Sequence, residues 1–150
     1  MDTESIARPA ENLITNDMNL GQCWAMSGTQ GWVLLKLSQP IVISEVSVEH
    51  ISKGLTPVSQ STPKSTHFYG VSYYNPEVAA NSEDEAAVTW SQGDYLASLT
   101  YDVDGPRIQE GLCENSQGKS YGYVNMTIDS NYGASYTCIY RVRVHGAPLY

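Results

Sequence analysis

Residues 136–145 read YTCIYRVRVH, and they alternate: Tyr136, Cys138, Tyr140, Val142 and Val144 fall on one side, Thr137, Arg141, Arg143 and His145 on the other. A period of two cannot line one face of a helix, whereas a strand sends successive side chains to opposite faces. The segment predicts a half-buried antiparallel strand with a cysteine on its inward face. The pattern recurs upstream. Residues 121–129 set Val124, Met126 and Ile128 against Asn125, Thr127 and Asp129, while residues 68–74 and 95–101 are aromatic, alternating runs. Residues 34–37 form an apolar run that Pro40 breaks before IVISEVSV resumes with Val42, Val46 and Val48 on one face, which predicts two adjacent strands.

Between these runs, residues 54–64 (GLTPVSQSTPK) and 75–85 (NPEVAANSEDE) carry turn residues and read as surface loops. A helix in 76–80 or 83–87 would be too short to stand alone. No internal repeat, heptad seam or low-complexity tract interrupts the series. Short strands punctuated by turns, with scarcely any helical periodicity, predict an all-β fold: a compact antiparallel β-sandwich of the jelly-roll or galactose-binding-like kind, with few or no short helices. A length of 150 residues suits one domain with a continuous core.

Composition narrows the function. With 16 acidic against 8 basic residues and a formal charge of −8, the chain lacks the clustered Lys and Arg of a nucleic-acid binder. No stretch approaches the roughly 20 apolar residues of a membrane helix, and the first ten residues lack a signal-peptide core, so any membrane segment is expected outside this chain. The three histidines, His50, His67 and His145, form no HExxH or zinc-type spacing, and GxSxG and Gly-rich phosphate loops are absent. Asp102 and Asp104 in TYDVDGP pair two carboxylates, but DG before Pro106 is a turn signature and marks them as structural. The chain is expected not to be an enzyme and to carry no organic cofactor. Asn125-Met126-Thr127 fits a glycosylation sequon whose asparagine is expected on the polar side of a strand. Cys23 and Cys138 lie in strand-like aromatic surroundings and Cys113 in loop sequence. The residues alone leave open a Cys23–Cys138 bridge with Cys113 unpaired, or three reduced thiols.

Several longer stretches occur in a fixed order: GQCWAMSGTQGW, SVEHISKGLTP, STPK followed by FYG, TYDVDGPRIQ, SNYG and YTCIYRVRVHG. Together, over residues 8–150, they resemble the SUN domain of nuclear-envelope bridging proteins, with residues 1–7 as a tail or a remnant of the linker on the lid side. The resemblance implies a lumenal β-sandwich, at the end of an inner nuclear membrane protein, that binds the C-terminal tail of KASH proteins and so bridges inner and outer nuclear membranes. It implies the Cys23–Cys138 disulfide and a tail-carboxylate pocket of His50, Ser61, Tyr136 and Tyr140. Tyrosine and serine hydroxyls and an imidazole are donors suited to a terminal carboxylate. It further implies a potassium or sodium ion held by backbone carbonyls of Asn12, Thr15, Asp17, Gln22 and Tyr140, oxygen ligands being those that hard alkali ions favour.

The chain also departs from the family. The coiled coil and β-hairpin lid that normally precede the domain are not found, so the homotrimer of full-length members gives way to an expected monomer with a weakened tail site. Tyr132, Gly133 and Ala134 stand where many relatives have Trp-Gly-His, and the 75–85 segment and Cys113 suggest a divergent, fungal branch. The competing readings are a lumenal protein with a partner other than KASH, and a carbohydrate-binding module; of its candidate platforms Trp24, Trp32 and Trp90, the first two lie in the family-like stretches and read as core, which leaves Trp90 as the exposed aromatic.

Overall fold

The computed structural model describes residues 3–5, 23–51, 59–72, 93–115 and 117–148, with backbone alone for residues 3–5 and Ser59. Nine strands are present among them: β1 (Thr3–Ser5), β2 (Trp24–Ser27), β3 (Gly31–Glu49), β4 (Pro63–Val71), β5 (Gly93–Thr100), β6 (Ile108–Leu112), β7 (Ser120–Asn131), β8 (Tyr136–Ile139) and β9 (Arg141–Ala147). The helical content described is one 3₁₀ turn, Ser59–Ser61. The fold is the all-β sandwich that the alternation predicts.

β3 organises it. Its first half pairs with β1 and β7, and the sheet continues through β4 to β5; its second half pairs with β6 and β9. One strand thus serves both layers, so residues 34–37 and 42–48 are not two adjacent strands. Pro40 is tolerated because it sits, exposed, where the register with β7 shifts between Lys36 and Ile41. Proline cannot donate to a ladder and is confined to such irregularities. A second shift, between Ile43 and Glu45, changes which parity faces inward. Ile41, Ile43, Val46 and Val48 therefore all join the core, while Val42, expected beside Val46, does not.

The main core draws Val33 and Leu35 of β3, Phe68 of β4, Leu96 of β5, Val124 and Met126 of β7, and Val142 and Val144 of β9 into one cluster. At Gly70 a Cβ would come within 2.7 Å of the Tyr121 ring, so β4 needs glycine for that ring to lie on its backbone. Val124, Met126 and Ile128 face the core as expected, but the opposite side of β7 is not solvent-facing: Asn125 is 1% exposed and Thr127 is buried as well, with only Asp129 open. β7 lies between β3 and β4, in the middle of the sheet, and its outer side is covered too. Asn125 accordingly cannot be reached by a glycosylating enzyme in the folded chain.

The predicted strand at 136–145 is two strands. β8 pairs with β2 and β9 with β3, and the change of sheet falls at Tyr140. The crossing switches parity: Ile139 reaches the main core, then Val142 and Val144 do, while Cys138 and Tyr140 join a separate cluster with Ile51 and Cys23. Pro63 and Lys64, read as loop, begin β4. Tyr73, Tyr74, the 75–85 segment and its possible helices lie outside the described residues. Thr3–Ser5, within the stretch read as a tail, pair with β3. Asp102 and Asp104 do form a turn, closed by the Asp104 amide donating to Asp102 Oδ1 at 2.9 Å and the Gly105 amide to the Asp102 carbonyl at 3.0 Å.

Candidate functional site

The end of β3, the β8–β9 junction and the turn before β4 meet at one end of the sandwich. A disulfide joins Cys23 to Cys138 with their Cα atoms 5.5 Å apart, tying the start of β2 to β8, and Cys113 is free. Burial raises the Cys113 pKa to about 11, so the thiol is held protonated.

His50 follows the last residue of β3 and is 2% exposed. Its ring meets Tyr140 edge to face, with centroids 4.8 Å apart and an interplanar angle of 87°, and Tyr101 lies at 6.1 Å. Nδ1 is 3.0 Å from the Ile51 carbonyl. A carbonyl only accepts, so this nitrogen carries the proton. Nε2 is buried and completes no hydrogen bond, although it is close enough to the Cys138 backbone for that carbonyl to influence it. Burial is the largest effect on the ring and lowers its pKa, while the Ile51 and Cys138 carbonyls act in the opposite sense. A buried polar atom without a partner is costly and points to a missing one.

Tyr101, in the TYDVDGP stretch that reads first as a turn, stands beside His50 although the sequence did not single it out. Its hydroxyl donates to the Arg107 carbonyl at 2.5 Å, the carbonyl that also takes the His50 amide at 3.2 Å. Burial foremost pushes the Tyr101 pKa up to about 12, so the phenol stays neutral. The Tyr101 carbonyl receives the Tyr132 hydroxyl at 2.6 Å, and the Tyr101 amide donates to Lys64 at 2.8 Å.

Ser61 is buried in the 3₁₀ turn, which packs against β8. The turn is pinned by the Gln60 carbonyl, which accepts the Tyr132 amide at 3.0 Å and the Ala134 amide at 3.2 Å. Asn131 braces the same connection, donating through Nδ2 to the carbonyls of Ala134 and Tyr136 at 3.0 and 2.9 Å. The structure therefore packs His50 against Tyr140 and sets the Ser61 turn beside β8. Tyr136 opens β8, opposite Ser27, and is 40% exposed, so the two tyrosines differ: Tyr140 is a buried wall and Tyr136 stands toward solvent. The buried His50 Nε2 beside the Tyr140 ring and the exposed Tyr136 that opens β8 are the polar groups this end offers to a small chain end.

Of the cation ligands expected, Asn12, Thr15, Asp17 and Gln22 lie outside the described residues. Tyr140 sits between the two ladders, after the β2–β8 register and before the β3–β9 register, a position compatible with a carbonyl ligand. No group of three or more metal-ligating His, Cys, Asp or Glu side chains occurs among the described residues. Of the three candidate sugar platforms, Trp24 is buried in the main core, Trp32 is half-buried, and Trp90 lies outside the described residues.

Residues 3–148 match the sequence profile of the Sad1/UNC-like C-terminal family. SUN domain-containing protein 2 of Mus musculus is 35% identical over 141 residues, covering 92% of this chain and 17% of the relative. The nuclear migration and anchoring protein unc-84 of Caenorhabditis elegans is 35% identical over 128 residues, covering 84% of this chain and 10% of the relative. SUN domain-containing protein 3 of Mus musculus is covered to 40%, so the chain spans less than half the length of these relatives. Among solved structures, the family 32 carbohydrate-binding module of Streptococcus pneumoniae EndoD superposes with a TM-score of 0.66 at 11% identity, covering 96% of this chain and 95% of that one. That likeness concerns the fold alone. The ordered motifs, the cystine and the match along nearly the whole chain place it in the Sad1/UNC family: it is a SUN domain.

Proposed function

We propose that this domain is a binding module, without catalytic activity, that captures the C-terminal tail of a KASH protein in the lumen between the two nuclear membranes. In the full-length protein it would bridge inner and outer membranes as part of the LINC complex, anchoring the nucleus and transmitting force. His50, Ser61, Tyr136 and Tyr140 are the residues assigned to the tail's terminal carboxylate. A structural potassium or sodium ion in the Asn12–Gln22 loop and trimer assembly through a coiled coil belong to the same reading.

The observation that carries the proposal is the buried His50 Nε2 with no partner, set against the Tyr140 ring. With Nδ1 donating to the Ile51 carbonyl, Nε2 is the acceptor nitrogen of the neutral ring and completes no hydrogen bond among the described residues; a carboxylate docking there would draw a proton onto Nε2, which then donates to it. Charge-assisted hydrogen bonds in a partly dry site are roughly twice as strong as neutral ones, which suits a chain terminus. Trp24 in the core removes one of the platforms that the sugar-binding alternative could use.

The test is calorimetric titration of the full-length protein with a KASH C-terminal peptide, first as the free acid and then amidated. The free acid is expected to bind at least tenfold more tightly, and Tyr140→Phe or His50→Ala to weaken it without lowering the melting temperature substantially. Equal affinity for acid and amide would remove the carboxylate pocket.

A further inference from the structure

The pocket end is crossed on its outer side by an ion cluster that the pocket assignment does not use. Glu49, the residue before His50, is buried, with a side chain 7% exposed. Its Oε2 lies 3.1 Å from Arg107 Nε and its Oε1 3.5 Å from Arg141 Nη1. Buried carboxylates are tolerated only when paired, and here one carboxylate holds two guanidinium groups from two different strand starts. Arg107 directly precedes β6, and Arg141 opens β9 directly after Tyr140. The rows across the sheet agree, since Glu49 stands opposite Ile108 on one side and Arg141 on the other.

Each partner of the cluster is one residue from, or bonded to, a wall of the pocket. Glu49 is joined to His50. Arg141 is joined to Tyr140. The Arg107 carbonyl accepts both the His50 amide and the Tyr101 hydroxyl. The charges of Glu49 and Arg107 are felt at the Tyr101 hydroxyl, in opposite senses. Three backbone segments that carry or brace His50, Tyr101 and Tyr140, whose rings meet at His50, are thus tied to one another by a single carboxylate.

We infer that the Arg107–Glu49–Arg141 triad is the positioning element of the tail pocket, fixing the β3 end, the β6 start and the β8–β9 junction so that His50 and Tyr140 converge on the terminal carboxylate of a bound chain, with Tyr101 bracing His50 through the Arg107 carbonyl. The inference rests on the proposed tail-binding reading and adds residues to it that touch no ligand themselves. The triad carries two positive charges against one negative, a local excess in a chain whose formal charge is −8, and this favours an anionic chain end over a neutral one.

The closing experiment compares the full-length protein with its Arg107→Ala, Arg107→Lys, Glu49→Gln and Arg143→Ala variants, each titrated with the free-acid and amidated KASH peptide. Arg107 is half exposed, so its variants are expected to fold, whereas Glu49→Gln disturbs a buried pair and is the harsher probe. Arg107→Ala should weaken free-acid binding about three- to tenfold, chiefly through faster dissociation, and shrink the acid-to-amide preference by a similar factor, with Arg107→Lys recovering part of both. Arg143, exposed on β9 outside the triad, should leave the preference intact. A merely structural role would lower the melting temperature and both affinities together, leaving their ratio unchanged. An unchanged ratio in folded Arg107→Ala and Glu49→Gln would overturn the triad while the pocket reading stands; an unmodified protein that shows no acid-to-amide preference would overturn both.

Discussion

The main core and the cystine end are built on different physics. The core gathers its side chains from both layers and stabilises the chain by apolar burial, which is non-directional and scales with area. Among the described residues, the cystine end has Ile51, Tyr140 and the two bridged cysteines as its apolar cluster, and is held by one covalent bond, the Gln60 and Asn131 links and the Glu49 ion pairs. Directional links fix positions without filling space, and among the described residues this end leaves His50 Nε2 buried without a partner, as the middle of the main sheet leaves Asn125 and Thr127.

Three measurements press on that contrast. The largest effect is expected at Phe68, wholly buried between the layers, where Phe68→Ala should cost about 3–5 kcal/mol through lost burial and a cavity. Urea denaturation should show a lower midpoint at unchanged slope; a loss below about 1 kcal/mol would mean that the core is not the stabilising half. Next comes the bridge: replacing Cys23 and Cys138 by serine should cost about 2–4 kcal/mol, mainly by freeing the unfolded chain. Because the main core does not depend on the bridge, circular dichroism should retain the β signature while tail binding is lost; intact binding would show that the end is held by its polar links alone.

The smallest effect concerns Asp94, at the edge of the main body. Hydrogen bonds from Lys119 and Tyr121 hold its carboxyl below the usual carboxylate range. A depressed folded pKa contributes stability that is fully present above the unfolded value and is lost as pH falls through the folded one. The side chain is about half exposed, so the advantage over Asp94→Asn should be under about 1 kcal/mol at pH 7, should begin to fall below the ordinary aspartate pKa of about 4 and should be gone once the pH is below the lowered folded value. A difference that persists at pH 2 would trace the effect to something other than charge.

The same contrast explains what could be read in the chain. Apolar alternation reports burial, so the runs at 68–74, 95–101 and 121–129 were legible as strands and overlap β4, β5 and β7, and the all-β class followed from them. It does not report which sheet a strand joins. The single strand β3 therefore looked like two at Pro40, and the two strands β8 and β9 looked like one at Tyr140, because an irregularity shifts parity without leaving a residue signature. The polar side of β7 misled for a related reason: Asn125 and Thr127 alternate like surface residues although both sheet faces are covered there. At the pocket, His50 and Tyr140 were accessible through motif resemblance. Tyr101, Glu49 and Arg107 were not, since their roles come from backbone carbonyls and cross-strand pairing that residue types alone do not encode.

β3 runs through both layers with His50 one residue beyond its end and neighbouring strands along both of its halves. A ligand tugging at that histidine would drag one continuous backbone lengthwise past its neighbours. The interstrand bonds would then be sheared together and not unzipped singly, so the layout spreads a mechanical load over the whole sandwich before any one contact yields.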